Sequence, residues 1–327
     1  MKKHVFVPMI LAVMLAVLVG CGTASAADDG MINIGMLQIA DHLSLDNARL
    51  GFISGMADEG WIDGENLNLT QFSAGGDVSV AHAMALQIVE NNPDLILGIA
   101  TSTSQALAHA TEDIPIVITA VTDPLRADLV ETLERPGRNV TGTSDLSPVA
   151  RQFELLQNIL PDAQTVGIIF NAGEINSQVL ASMAMEKAAE LGLEYVTVTV
   201  ASTADVAQAA EFIVGQVDVL YTPTCNTVAS AIAVITAIAE EAGVPVIGGN
   251  ENHVNNGALA TEGVDYYRLG RQAAGMAAQI LRGEAIPADM PIQWQDDLSL
   301  VVNMSVAERF GIIIPDEILA VANLFEE

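Results

Sequence analysis

Basic residues are what this chain most lacks: 12 lysines and arginines face 41 aspartates and glutamates, for a formal net charge of −29. Lys2, Lys3 and Lys187 are the only lysines. Phosphate binding needs a basic footprint, so nucleic acid is excluded as a partner. An acid excess of this size aids solubility by self-repulsion and also suits a saline habitat, but it says nothing about fold. Aromatic residues make up only 4% of the chain, and there are two cysteines, Cys21 and Cys225. The five histidines (His4, His42, His82, His109, His253) are scattered, with no HExxH pair and no Cys/His cluster, so neither a metal nor a cofactor is expected. A GxSxG elbow, a GxxxxGK loop and a GxGxxG after the first predicted strand are also missing, which disfavours hydrolases, nucleotidases and dinucleotide enzymes.

One long apolar run is present, and it comes first. Lys2 and Lys3 precede an apolar stretch over residues 5–19, broken only by Pro8, and Leu18-Val19-Gly20-Cys21 closes it. This is the pattern of a secretory signal, too short and wrongly flanked for a membrane span. Leu-Val-Gly-Cys resembles the lipobox of bacterial lipoproteins, which implies lipidation at Cys21 and a protein tethered outside the cytoplasm by acyl chains. Ala24-Ser25-Ala26 offers a competing cut for plain secretion. With Cys21 lipidated, Cys225 has no partner for an intramolecular disulfide. No later stretch is long enough to cross a bilayer, so the membrane is reached only through the anchor.

About 300 residues remain, enough for two domains. From Met31 onward, short apolar runs alternate with longer segments at three- and four-residue spacing, the mark of βαβ units and a parallel sheet. Strands are predicted at 32–37, 67–72, 94–99, 115–120, 140–143, 165–170, 195–200, 217–221, 244–248, 258–261 and 298–302. Helices are predicted at 45–59, 78–91, 178–191, 204–214, 227–242 and 267–281. The chain also echoes itself. Residues 94–105, a helix and 114–123 are matched by 218–227, a helix and 244–251, and 34–38 resembles 166–171. Two similar α/β lobes are therefore expected, each a parallel sheet flanked by helices and joined by a multi-strand hinge. The division predicted is a signal at 1–21, a linker at 22–30, lobe 1 at 31–145 plus about 264–295, and lobe 2 at 146–263 plus about 296–327.

In open parallel sheets, ligands bind beyond the carboxyl ends of the strands. Polar residues gather at those places: 38–44, 101–105, 119–123, 171–177, 222–227 and 250–253. Each Ser, Thr or Asn there would cap a helix on its own account. Several helix N-termini aimed into one cleft would together favour an anionic group, each by roughly 0.3–1 kcal/mol.

Six segments carry a specific resemblance: Ile-Ala-Thr-Ser at 99–102, Ala-Val-Thr-Asp-Pro at 120–124, Val-Thr-Gly-Thr-Ser-Asp-Leu-Ser-Pro at 140–148, Asn-Ala-Gly-Glu-Ile-Asn-Ser at 171–177, Pro-Thr-Cys-Asn-Thr-Val-Ala at 223–229 and Gly-Val-Asp-Tyr-Tyr-Arg-Leu-Gly at 263–270. In order and spacing they resemble a family of ABC-transporter substrate-binding lipoproteins, some of which take up tryptophan and related aromatic amino acids. The resemblance implies a periplasmic-binding-protein type I-like fold that closes on a small zwitterionic or anionic ligand, as a monomer, and delivers it to a membrane permease. It also implies that Ser102, Thr103, Thr122, Asp123, Asn176 and Ser177 line the cleft. The α-carboxylate would meet Ser102, Thr103, Asn176 and Ser177, and the α-ammonium Asp123, Glu251 or Asp265. Gln38, His42, Asn171, Thr224, Cys225 and Asn226 complete the ligand-facing set.

Two departures stand out. Relatives commonly carry aspartate where this chain has Cys225, and His-Pro-small where it has His42-Leu43-Ser44. An indole platform would draw on Phe170, Tyr221, Tyr266 or Tyr267, while Trp61 reads as packing. A sensory ectodomain is an alternative to transport. A racemase-like enzyme is a weaker one, since two-base thiol chemistry needs two cysteines and the echo sets Thr103 opposite Cys225.

Overall fold

The computed structural model describes residues 30–326. The expected signal, Cys21 and the alternative cut at 24–26 lie outside them.

The first sheet holds β1 (Ile32–Gln38), β2 (Leu67–Ser73), β3 (Leu95–Ile99), β4 (Ile116–Val121) and β5 (Val140–Ser144), all parallel, in the order β2-β1-β3-β4-β5. β3, β4 and β5 are buried along their whole length, as strands covered by helices on both faces must be. The second sheet holds β6 (Thr165–Asn171), β7 (Glu194–Val200), β8 (Val219–Thr222), β9 (Val246–Gly248), β10 (Ala260–Gly263), β11 (Ser299–Asn303) and β12 (Asn323–Phe325). Its order is β12-β11-β10-β9-β8-β6-β7. Shifting each strand number of the first sheet by five reproduces the run β7-β6-β8-β9-β10, so the sequence echo is a structural repeat. The late strand departs from a purely parallel plan, because β11 pairs antiparallel to β10.

The chain crosses between lobes at three places. After β5 it enters α4 (Val149–Ile159), which packs on α5 (Ile175–Glu190) and β10. After β10 it returns as α10 (Tyr266–Leu281), which packs along α1 (Leu43–Asp58) and against β4 and β5. Ala273, Ala274 and Ala277 of α10 belong to the hydrophobic core of the first lobe. The chain then runs beside β5, where Ser144 N–H donates to Gln293 O (2.8 Å) and Gln293 N–H to Gly142 O (3.0 Å), before β11 joins the second sheet. Trp61 packs against the first core, with the Arg282 guanidinium 4.9 Å from its ring centre.

The predicted helix 227–242 is two helices, α7 (Asn226–Ala229) and α8 (Ile232–Ala242). The break falls at Ser230, whose hydroxyl donates to Asn226 O (2.9 Å), and at Ala231, which leaves helical geometry at φ −127° and ψ 17°.

The α1–α10 contact fixes where α10 begins, and so where Tyr266 sits. It depends on glycine. A Cβ at Gly270 would strike Ala48 O and lie 2.8 Å from Phe52 N, and one at Gly51 would strike Tyr267 O. The flanking pairs Arg271–Asp58 and Arg282–Glu59 are partly exposed and contribute little. Gly270→Val should therefore lower the unfolding free energy by about 2 kcal/mol or more in a denaturant titration, from overpacking. An unchanged midpoint would mean that the helices do not need this close approach.

Candidate functional site

The carboxyl ends of both sheets face one cleft. Where β3 and β4 end, two alanines hold backbone geometry that favours glycine: Ala100 at φ 81° and ψ 162°, and Ala120 at φ 55°. Such residues cost roughly 1–3 kcal/mol each and persist where the surroundings over-determine them. Ala100 starts α3 (Thr101–Ala110). The N-termini of α1, α3 and α5 have no side-chain cap, and α3 touches α5 across the cleft. Their first amides are thus available to another acceptor.

Between the lobes lies a small cavity of about 10 Å3, room for about one water with the walls in contact as they are here. His42, Leu45, Ala120 and Thr122 line it from the first lobe, and Asp145 and Tyr266 from the crossings. Asn176, Thr224, Cys225, Asn226, Ala229 and Asn250 complete it from the second lobe. Two contacts join the walls: His42 Nε2 lies 3.3 Å from Asn226 Oδ1, and Ser147 Oγ lies 3.3 Å from Thr224 Oγ1. A wider groove opens outward from it, bordered by Asp41, Ser102, Asn171 and Thr227, with Asn226 shared by both.

Asp145 is the buried charge of the inner cavity. Thr122 Oγ1–H donates to it at 3.0 Å and Tyr266 O–H at 2.6 Å, and no cation pairs with it among the described residues. Burial pushes its carboxyl above the usual range, opposed by the two hydroxyls. The Tyr266 hydroxyl is itself pushed up, first by burial and then by the neighbouring carboxylate.

Glu174 presents the opposite case. It precedes α5 but turns its side chain to α7, where Oε2 accepts from Asn226 N (2.9 Å) and Nδ2 (2.8 Å). Oε1 accepts from Thr227 N (3.0 Å) and Oγ1 (2.6 Å). Both oxygens are thus used by the protein itself.

The Cys225 thiol is pushed up to about 12 by burial and by Glu174, so it stays protonated and unreactive at neutral pH. Thr103, its counterpart in the echo, donates to Ile99 O (2.6 Å) and Ala100 O (3.0 Å) inside α3. No proton-transfer pair spans the cleft at these positions. His253 accepts from Gly249 N–H at Nδ1 (3.3 Å), and burial pushes its pKa down to about 3, so it is neutral.

Of the residues singled out from sequence, His42, Thr122, Asn176, Thr224, Cys225 and Asn226 meet at the inner cavity, and Ser102 and Asn171 at the outer groove. The others have local work. Gln38 Nε2–H ties the β1–α1 turn through Ala40 O (2.8 Å) and Asp46 Oδ1 (3.0 Å), and Ser177 Oγ accepts from Asn171 N–H (3.1 Å). Asp123 accepts from Leu125 and Arg126 amides, Asp265 caps α10 through Arg268 N–H (3.0 Å), and Glu251 sits in the first turn of α9 (Glu251–Asn255). None of these three carboxylates lines the inner cavity, because turn and helix-start geometry turns them elsewhere; Asp145 is the carboxylate that does. Of the four candidate ring platforms only Tyr266 borders it. Tyr221 is in the core, bonded to Gln152 Oε1 (2.6 Å), Phe170 packs on the second core, and Tyr267 is exposed. Asp145 and Glu174 had one sequence signal: each is the sole charge in its segment, 140–148 and 171–177.

Residues 33–325 match the profile of the ABC transporter substrate binding protein family. A tyrosine-binding protein of Clostridioides difficile (strain R20291) is 38% identical over 271 residues, 83% of this chain and 78% of that protein. A Streptococcus pneumoniae ABC domain solved with L-Trp is 34% identical, with a TM-score of 0.87 over 90% of this chain and 99% of the other. A ligand-free, open substrate-binding protein from Clostridium difficile, 38% identical over 90% of this chain and 99% of its own, superposes with a TM-score of only 0.70. The poorer overlap with a more similar but open protein fits the joined walls seen here. The shared architecture is the two-lobed periplasmic-binding-protein type I fold, and the chain belongs to the family of ABC transporter substrate binding proteins, which bind a solute rather than transform it.

Proposed function

We propose that the inner cavity, joined to the outer groove as the lobes part, takes one free aromatic amino acid as its zwitterion and presents it to an ABC permease, the protein being held outside the cytoplasm by a lipid on Cys21. The observation that carries this reading is Asp145, a buried carboxylate with hydroxyl partners and no cation. A buried charge without a counter-charge is costly, and an α-ammonium supplies one. The uncapped N-termini of α3 and α5 suit the α-carboxylate, Ser102 and Asn176 lying in their first turns. The Tyr266 ring and the aliphatic Leu45, Ala120 and Ala229 suit an apolar side chain. The aromatic class is supported by the relatives that bind tyrosine and hold L-Trp. Because the walls come from both lobes, the ligand stabilises the closed arrangement, and its affinity contains the free energy of closure.

A thermal-shift screen over the amino acids tests the ligand class: tyrosine and tryptophan should raise the melting temperature, and a response to no amino acid would remove the reading. Asp145→Asn should weaken binding of the best amino acid by about 3 kcal/mol, more than a hundredfold, in calorimetry. The same variant should leave the unliganded protein no less stable at neutral pH. The folded carboxyl is raised, so Asp145 favours the empty fold only while protonated, and that contribution is lost as pH rises through its folded pKa. Undiminished affinity in Asp145→Asn would place the ammonium elsewhere.

A further inference from the structure

Glu174 controls more than the start of α7. Backbone N–H groups can only donate, so the contacts from Asn226 N (2.9 Å) and Thr227 N (3.0 Å) make both carboxylate oxygens acceptors. The Asn226 group 2.8 Å from Oε2 must then be its NH2, which leaves Oδ1 facing His42 Nε2 at 3.3 Å. An amide oxygen only accepts, so Nε2 carries the hydrogen. Burial disfavours the charged ring, and the neutral imidazole therefore has a bare lone pair at Nδ1. A second branch runs through Asn176. Its Nδ2 lies 3.1 Å from Thr224 O and 3.4 Å from Glu174 Oε2, two acceptors, so its amide cannot be turned round. His42 Nδ1 and Asn176 Oδ1 are both buried, belong to cavity-lining residues and have no hydrogen-bond partner among the described residues.

We infer that Glu174 is a positioning residue that fixes His42 Nδ1 and Asn176 Oδ1 as acceptors, one from each lobe, so that the receptor selects amino acids whose ring carries a hydrogen-bond donor over phenylalanine. The inference rests on the amino-acid reading above. The unpaired atoms support it. Asp145 already accepts from Thr122 and Tyr266, so the acceptors left without a donor are His42 Nδ1 and Asn176 Oδ1, one on each wall. An α-ammonium held at Asp145 is anchored at one point, and a ring without a donor offers nothing to an acceptor that the ammonium does not reach. A phenol O–H or an indole N–H pairs that acceptor. Leaving a buried acceptor unpaired should cost roughly 10- to 100-fold in affinity.

Two measurements on the full protein test this. Nitrogen-15 NMR of the labelled imidazoles, without ligand, should show His42 neutral with its hydrogen on Nε2, and Glu174→Gln should populate the Nδ1–H form. Calorimetry should rank tyrosine and tryptophan roughly 10- to 100-fold above phenylalanine. Glu174→Gln should lower tyrosine affinity by more than phenylalanine affinity, narrowing that ratio. If Glu174→Gln does not fold, His42→Leu should narrow it too, since it removes one acceptor. An Nδ1–H ring in the unaltered protein overturns the role of Glu174. Phenylalanine binding as tightly as tyrosine overturns the ring-donor selection while leaving the amino-acid reading standing. If no amino acid binds, the reading and the selection both fall, and the tautomer still decides the role of Glu174.

Discussion

A carboxylate buried where the chain passes between lobes, attended only by hydroxyls, is the constraint around which this protein is arranged. Asp145 lies on the first crossing, just after β5, and Tyr266 on the second, at the start of α10. Their 2.6 Å hydrogen bond ties two separate crossings together at the cavity. Placing Tyr266 there requires α10 to lie tightly on α1, which is why that helix pair meets through Gly51 and Gly270 with no room for a side chain. The first lobe's helix packing and the chemistry of the cavity are therefore one problem solved by one set of residues.

The two buried carboxylates at the cleft divide the labour. Glu174 is saturated by backbone and side-chain donors and behaves as structure, holding α7 and the amides of Asn176 and Asn226 in fixed orientation. Asp145 has two hydroxyls and no cation, and an unpaired charge in a closed space is strained towards protonation. Saturation on one side and incompleteness on the other is what a receptor needs: a rigid frame and a local deficit that a particular molecule fills. The strained backbones at Ala100 and Ala120 fall at the same strand ends, consistent with sites where geometry is held against local preference.

Much of this was legible in the sequence, for definable reasons. Apolar runs separated by helical spacing reveal parallel strands, and the echo of 94–123 in 218–251 anticipates the common strand order of the two sheets. The polar loops at strand ends located the cleft because parallel sheets leave no other place for it. The fate of individual carboxylates was not legible. Asp123 and Asp265 have backbone amides two or three residues onward and are drawn into turns and caps, whereas Asp145 is defined by Tyr266, 121 residues away. Sequence spacing cannot see such a partner. The break between α7 and α8 was hidden for a similar reason, since the apolar periodicity continues across Ser230 while the grip of Glu174 on α7 comes from another element.

The central claim, that a ligand ammonium completes Asp145, is tested most directly by counting protons. Calorimetry of tyrosine binding in buffers of different ionisation enthalpy, at a pH below the raised pKa of Asp145, should show net proton release, because the carboxyl is protonated when empty and ionised when paired. The release should vanish in Asp145→Asn. Binding without proton exchange in the unaltered protein, or with equal release in the variant, would contradict the account.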